Sequence, residues 1–163
     1  MHNYQQILRK IQTKESLLEL LAKWQQEGQK IVFTNGCFDL IHRGHVDYLA
    51  KASDYGTRLI VALNTDASVS KLKGPHRPIQ DQDSRLQIMA SMAMVDAVVL
   101  FDEETPLSLI QAVQPDVLIK GSDYQPEKIV GYEVVKAKGG TVATIDFLPG
   151  FSTSAIEQKI KLA

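Results

Sequence analysis

The sequence predicts a doubly wound α/β fold: a five-stranded parallel sheet with helices on both faces. Three observations carry that prediction. First, short and continuously apolar runs alternate with stretches of helical spacing. That is the pattern of parallel strands buried on both sides and joined by crossover helices. Second, each apolar run is followed by a polar or glycine-containing segment: "TNGCFD", "LNTDAS", "FDEET", "KGSDY" and "DFLPGFSTS". Right-handed crossovers put all five at the carboxyl ends of the strands, where such folds bind ligands. Third, 163 residues suit one domain, or one domain with a short extension.

The elements follow in order. Residues 4–12 form a short helix, and Thr13 caps a second with Leu17, Leu20, Leu21 and Trp24 on one face. Gly28 ends it, so residues 1–29 read as a helical extension and residues 30–163 as the main domain. "KIVFTN" (30–35) is the first strand. Residues 44–55 are helical, with Val46, Leu49, Ala50 and Ser53 sharing a face and Gly56 as the stop. "RLIVALN" (58–64) is the second strand, and "SKLKGPHRPIQ" (70–80) has the composition of a loop. A helix over 83–94 turns Leu86, Met89, Ala90 and Ala93 inward, and "DAVVLF" (96–101) is the third strand. Thr105 and Pro106 open a helix that stops before Pro115. "DVLIK" (116–120) is the fourth strand. A helix from Pro126 ends at Gly139-Gly140, and "TVATI" (141–145) is the fifth strand. Ser152 or Thr153 caps a last helix to about residue 160.

Composition narrows the function. A formal net charge of −1 advertises neither nucleic acid nor an anionic membrane as partner. The N-terminus is too polar for a signal peptide, and no apolar run approaches a membrane span of about 20 residues. A single cysteine, Cys37, allows no intrachain disulfide and fits a reducing cytoplasm.

"FDLIHRGHVDYL" (38–49) is the most informative stretch. It leaves the first strand and enters the first crossover helix. Gly36 lets backbone approach a ligand. Gly44 lies at the helix entrance, where free N–H groups and the positive dipole end attract anions. His42 and His45, three apart, fall on one side of that helix and make a compact donor cluster for phosphate oxygens. Zinc is the rival ligand, with Cys37 as a third donor. The remaining histidines, His2 and His76, stand in contexts that do not complete such a site. Neither GxxxxGK[ST] nor GxGxxG is present.

His42-Arg43-Gly44-His45, preceded by Gly36, Phe38 and Asp39, resembles the HxGH signature of the nucleotidyltransferase superfamily. "FSTSAIEQK" resembles that superfamily's second signature. Further segments match in order: "LKGPHRPIQDQDSRLQIM", "VDAVVLFDEETPLSLI", "PDVLIKGSDY" and "GGTVATIDF". Over roughly residues 10–160 they are similar to the D-glycero-β-D-manno-heptose 1-phosphate adenylyltransferases, which occur alone or fused to a sugar kinase. The resemblance here is to the stand-alone form. Usual "KGGDY" and "STT" runs are "KGSDY" and "STS" in this chain.

The resemblance implies a Rossmann-like domain that transfers AMP from ATP to a sugar 1-phosphate. It implies Mg²⁺ held mainly by nucleotide phosphates, with no protein ligands. It also implies a cytoplasmic homodimer working alongside a separate heptose 7-phosphate kinase. By the same resemblance, His42, His45 and Lys73 stabilise the transferring phosphates. Thr34, Asn35, Gly36, Phe38 and Gly44 surround the nucleotide, and Gly121, Asp123 and Tyr124 reach ribose and base. Ser152 and Thr153 hold the terminal phosphates, and Arg77 and Arg85 the substrate phosphate. Blander readings stay open beside these. Lys73 can be a solvated loop lysine, Arg85 a surface ion pair, Tyr124 packing, Asp39 a local turn acceptor, and Ser152 or Thr153 a plain cap. Two other functions compete: a cytidylyltransferase for glycerol 3-phosphate or an amino-alcohol phosphate, and a nucleotide-binding domain without catalysis.

Overall fold

A computed structural model of the chain describes residues 2–162. Six strands form one sheet: β1 (Ile11–Gln12), β2 (Ile31–Gly36), β3 (Arg58–Asn64), β4 (Ala97–Phe101), β5 (Val117–Gly121) and β6 (Thr141–Ile145). Their order is β1-β4-β3-β2-β5-β6, and every neighbouring pair is parallel. The central strands are apolar because both faces are covered. Phe33, Ile60 and Leu118 point into one core layer, Val32, Leu59 and Ile119 into the other.

Among the described residues eight α-helices and a 3-10 turn (Pro126–Lys128) accompany the sheet: α1 (Asn3–Lys10), α2 (Lys14–Gln26), α3 (Arg43–Ser53), α4 (Asp66–Lys73), α5 (Gln82–Ala90), α6 (Leu107–Val113), α7 (Tyr132–Ala137) and α8 (Thr153–Lys161). Leu17, Leu21 and Trp24 of α2 share one core layer with Ile110 of α6 and Val135 of α7. Leu49 of α3 and Leu86 and Met89 of α5 fill the opposite layer.

The strand count is six, not five. Ile11 and Gln12 pair with Val98 and Val99 at the sheet edge. Two residues are too few to show a strand period, so the sequence reads them as the end of a helix. The segment before residue 30 therefore supplies a strand and part of the core, beyond lying against the domain. In α3 the buried positions are Gly44, Tyr48, Leu49 and Ala52, while Val46 is 43% exposed. The inward face is rotated from the expected one because Tyr48 reaches back to Thr34 (hydroxyl to hydroxyl, 2.8 Å). The expected helix over 83–94 stops at Ala90; Met92 accepts from Val95 in a turn that feeds β4.

The topology also locates a crevice. From β2 the chain moves to β3 and β4 on one side, then returns to place β5 and β6 on the other. β2 and β5 are in register at Val32–Val117 and Phe33–Leu118 and no further. Beyond that point their carboxyl ends separate, which is the switch point where open α/β sheets bind ligands.

Candidate active site

The floor of the crevice is the end of β2. Phe38, two residues on, has φ 47°, a left-handed conformation that costs a side-chain-bearing residue about 1–2 kcal/mol. A Cβ on Gly36 would stand 2.9 Å from the Phe38 ring, so glycine there makes room for it. The ring meets His45 edge-on, with centroids 5.2 Å apart. Strain at Phe38 thus aims the chain at the entrance of α3 and braces the second histidine. Thr34 lies beneath, fully buried, with its hydroxyl bonded to Tyr48. It supports the cavity from behind and does not line it.

His42 and His45 stack with ring centroids 3.9 Å apart. Gly44 permits the approach: a Cβ there would lie 3.1 Å from the His42 ring and 3.2 Å from Phe151. The His42 backbone N–H donates to His45 Nδ1 (3.4 Å). In the neutral ring the proton then belongs on Nε2, leaving a donor free for a ligand. Neutral is the state expected at pH 7. Burial pushes the His45 pKa down to about 4, helped by the positive character of His42 and Lys73 and opposed by the Leu40 carbonyl. Burial also lowers His42. Its Nδ1 is buried with no partner.

This has a consequence for stability. In the unfolded chain a histidine binds its proton near pH 6.5. Between there and about pH 4 the unfolded state holds more protons than the folded one. Stability is therefore retained above about pH 6.5 and declines as pH falls toward 4. Thermal unfolding midpoints across that window should show the decline, and His45→Gln should flatten it. An unchanged slope in the variant would assign the effect to other groups.

A cavity of about 300 Å³ opens beside His45. Asn35, Gly36 and Phe38 contribute from the β2 side, Gly121, Asp123 and Tyr124 from β5, and Lys73 and Thr153 from the two flanks. His42, Gly44 and Ser152 line a contiguous hollow against Phe147 and Phe151. Ser152 caps α8, its Oγ accepting from the Ala155 N–H (3.1 Å). A Cβ on Gly121 would overlap the Phe147 ring, so glycine there lets the β6–α8 segment close over the cavity.

Lys73 is the last residue of α4, a helix the sequence reading leaves as loop. Ser, Thr and Asp crowd its start and favour turns as readily as helix. The signal was the cap itself: the Thr65 side chain accepts from the Ser68 N–H (3.2 Å). The helix fixes the base of an otherwise exposed lysine.

Two arginines are placed differently from expectation. Arg85 is 1% exposed, and its donors go to the carbonyls of Gln80 (3.0 Å), Cys37 (2.8 Å) and Asn64 (2.8 Å) and to Asp66 (2.7 Å). Arg77 donates to Asp39 (2.7 Å) and Glu157. Neither lines the cavities at the histidines. Arg85 commits its donors to the protein, and Arg77 ties Asp39 to Glu157 while its Nη2 is buried without a partner, so both brace the loops around the site. Asp39 is the hub of that network, also accepting from the N–H groups of Ile79 (2.9 Å) and Gln80 (2.8 Å). Burial alone would raise its pKa; the Gln80 and Ile79 amides and Arg77 outweigh burial and hold the carboxyl below its ordinary range.

Sequence reasoning missed Lys120, whose Nζ donates to the Asn35 carbonyl (3.3 Å) and which lines the cavity. It ends an apolar run, and only the register of β5 shows it facing the crevice. Among the described residues no group of three or more His, Cys, Asp or Glu is arranged to hold a metal ion. Nor is any helix long and apolar enough to cross a membrane.

The cytidylyltransferase-like family model matches residues 33–159, from β2 through most of α8 and so across every element of this site. The chain belongs to the cytidylyltransferase-like family. Among relatives, it is 52% identical over 149 residues to the bifunctional protein HldE of Azorhizobium caulinodans, covering 91% of this chain and 31% of that protein. A second, from Citrifermentans bemidjiense, is 52% identical over 151 residues, covering 93% and 31%. The chain thus spans about a third of the length of these relatives. A lipopolysaccharide core biosynthesis protein from Thermoplasma volcanium superposes with TM-score 0.59 at 29% identity, over 74% of this chain and 98% of that one. Pantoate-beta-alanine ligase from Francisella tularensis gives TM-score 0.61 at 16% identity, over 93% and 77%. At that identity it shows shared fold alone. Within the cytidylyltransferase-like family, then, this member carries its two signatures on the crevice between β2 and β5.

Proposed function

We propose that the protein is an adenylyltransferase that joins ATP and D-glycero-β-D-manno-heptose 1-phosphate into ADP-heptose and pyrophosphate. The observation that carries the chemistry is a neutral, donor-bearing His45 that shares one cavity with the Lys73 ammonium, while its stacked partner His42 lines the contiguous hollow. The similarity to HldE proteins and to a lipopolysaccharide core biosynthesis protein supports the choice of sugar. The bifunctional name of those relatives is consistent with a partner activity, which we assign to a heptose 7-phosphate kinase. The family resemblance further supports a cytoplasmic homodimer.

The acceptor is a phosphate monoester with a second pKa of about 6, mostly dianionic at pH 7. It needs no base. One of its oxygens bonds to the α-phosphorus, and the bond from that phosphorus to the bridging oxygen breaks, releasing pyrophosphate. The barrier is repulsion between a dianion and a polyanion. Positioning and positive potential lower it. His42 and His45 donate to oxygens whose charge grows in the transition state. Lys73 follows the departing pyrophosphate, and the first-turn amides of α3 and α8 face the phosphates. Mg²⁺, held by the phosphates and water, would screen the triphosphate further.

The run before the second signature, "DFLPGFSTS", brings no arginine to the wall around Phe147 and Phe151. The arginine at that wall is Arg43, 5.5 Å from the Phe151 centroid, and the missing arginine in the run together with Tyr124 in "KGSDY" supports ATP with the sugar phosphate over CTP with glycerol 3-phosphate. Pyrophosphate release measured on both substrate pairs tests this. The CTP pair should be at least about 100-fold poorer in kcat/KM, roughly 2.7 kcal/mol. Faster turnover of the CTP pair would overturn the substrate assignment and leave the phosphate chemistry standing.

A further inference from the structure

One wall of the site is weakly attached to the rest of the molecule. Thr153, at the start of α8, lines the cavity beside His45 together with Lys73, and Ser152 lines the hollow at His42. Yet none of the nine residues of α8 is buried, and Ile160 is 65% exposed. The segment before it, 146–152, forms neither helix nor strand and turns at Gly150, where φ is 83°. A hollow of about 250 Å³, lined by His42, Arg43 and Ile156, lies between α8 and the entrance of α3. Among the described residues one salt bridge ties α8 to the rest of the protein, from Glu157 to Arg77.

Arg77 passes that tie on to the other phosphate-facing segments. Its backbone is folded back onto α4. The Arg77 N–H donates to the Gly74 carbonyl (3.1 Å), and the Arg77 carbonyl accepts from the Ser70 hydroxyl (2.5 Å). Lys73 stands between those two contacts in the chain. On another edge of the guanidinium, Nε donates to Asp39 (2.7 Å), which is buried and three residues before His42. One side chain thus joins the lysine loop, the histidine turn and α8. Thr153 and Glu157 are four apart and share a face of the helix. Drawing Glu157 to Arg77 therefore turns Thr153 toward Lys73.

The balance of charge makes Glu157 informative. Asp39, with its carboxyl held below its ordinary range, already neutralises Arg77. A second carboxylate adds negative charge one helical turn from a cap that faces phosphates, where it repels an anion. We propose that Glu157 is a positioning residue: its pairing with Arg77 latches α8 over the cavity and fixes the spacing between the Ser152–Thr153 cap and Lys73. This rests on the nucleotidyl-transfer reading above. Glu157 itself touches no substrate; it acts through the cap it carries. A partly exposed ion pair adds little to global stability, so its effect is on where α8 sits.

Two measurements on Glu157→Ala separate a latch from a bystander charge. Hydrogen exchange of the full chain without ligand reads the helix. Amides 154–158 should exchange about 3- to 10-fold faster, while those of β2 and β3 keep their wild-type rates. Calorimetric titration with a non-hydrolysable ATP analogue and Mg²⁺ reads the site. Affinity should fall about 10-fold, the order of one lost hydrogen bond to an anion. A bystander carboxylate gives the opposite sign, because its removal lowers repulsion. Glu157→Gln, whose amide oxygen still accepts from Arg77, should recover most of both effects. The melting midpoint of Glu157→Ala should stay within about 2 °C of wild type. Unchanged exchange in α8, unchanged or tighter nucleotide binding, or a general loss of stability would overturn the proposal. If wild type does not bind the analogue, the proposed function falls, and the exchange rates alone decide the latch.

Discussion

Arg85→Met is expected to destabilise the fold by about 3–5 kcal/mol, the range for removing one partner of a buried charged network. The side chain is fully inside, yet it bonds three separate chain segments, at Cys37, at Asn64 and Asp66, and at Gln80. Methionine fills much of the space and supplies no donor. The Cys37 and Asn64 carbonyls, at the ends of β2 and β3, then lose a partner in a region closed to water. Urea unfolding of the two proteins measures the difference directly. A change below about 1 kcal/mol would mean that water replaces the guanidinium, and the structural role assigned here would be wrong.

His45→Ala is expected to lower kcat by about 10²–10³, as loss of a single transition-state donor does elsewhere. The neutral ring, held with Nδ1 as acceptor and Nε2–H as donor, costs no rearrangement when charge develops on the phosphate oxygens. Ground-state affinity for ATP should suffer much less, because in the proposed arrangement Lys73 and the helix amides remain to hold the triphosphate. Thermal unfolding at pH 7.5 should stay near wild type, since the ring is only half-buried at the cavity wall. A folded variant with near-normal kcat would remove His45 from the chemistry.

Much of the architecture is legible in the residues. β2 to β6 are apolar runs because the sheet is covered on both sides, and their limits fall within a residue or so of the expected ones. β1 is not legible, because a two-residue strand has no period and exists only through its partner β4. α4 is hidden by polar residues that suit turns and helix starts equally. At the site, the histidines, "KGSDY" and the α8 cap come from separate strand ends, and the topology brings them to one crevice. What the residues alone do not disclose is which charges are free. Arg77, Arg85 and Lys120 look alike on the line of sequence. Arg85 spends its donors on the protein, Arg77 leaves Nη2 without a partner, and Lys120 keeps most of its own.

The all-parallel sheet also governs how the protein is made. No two neighbouring strands can form as a hairpin; each pair must wait for a crossover to close. Two pairings span the widest gaps: Ile11 with Val98 at the edge and, at the centre, the Ile31 amide of β2 with the Asp116 carboxylate 85 residues away (2.8 Å). Such distant pairings are slow, because chain closure must be paid in entropy before the contacts return anything. A nascent chain that has completed β2, β3 and β4 holds both histidines but lacks the facing wall from β5. The pocket comes into being only when the last third of the chain docks, so competence to bind nucleotide is the final event of maturation.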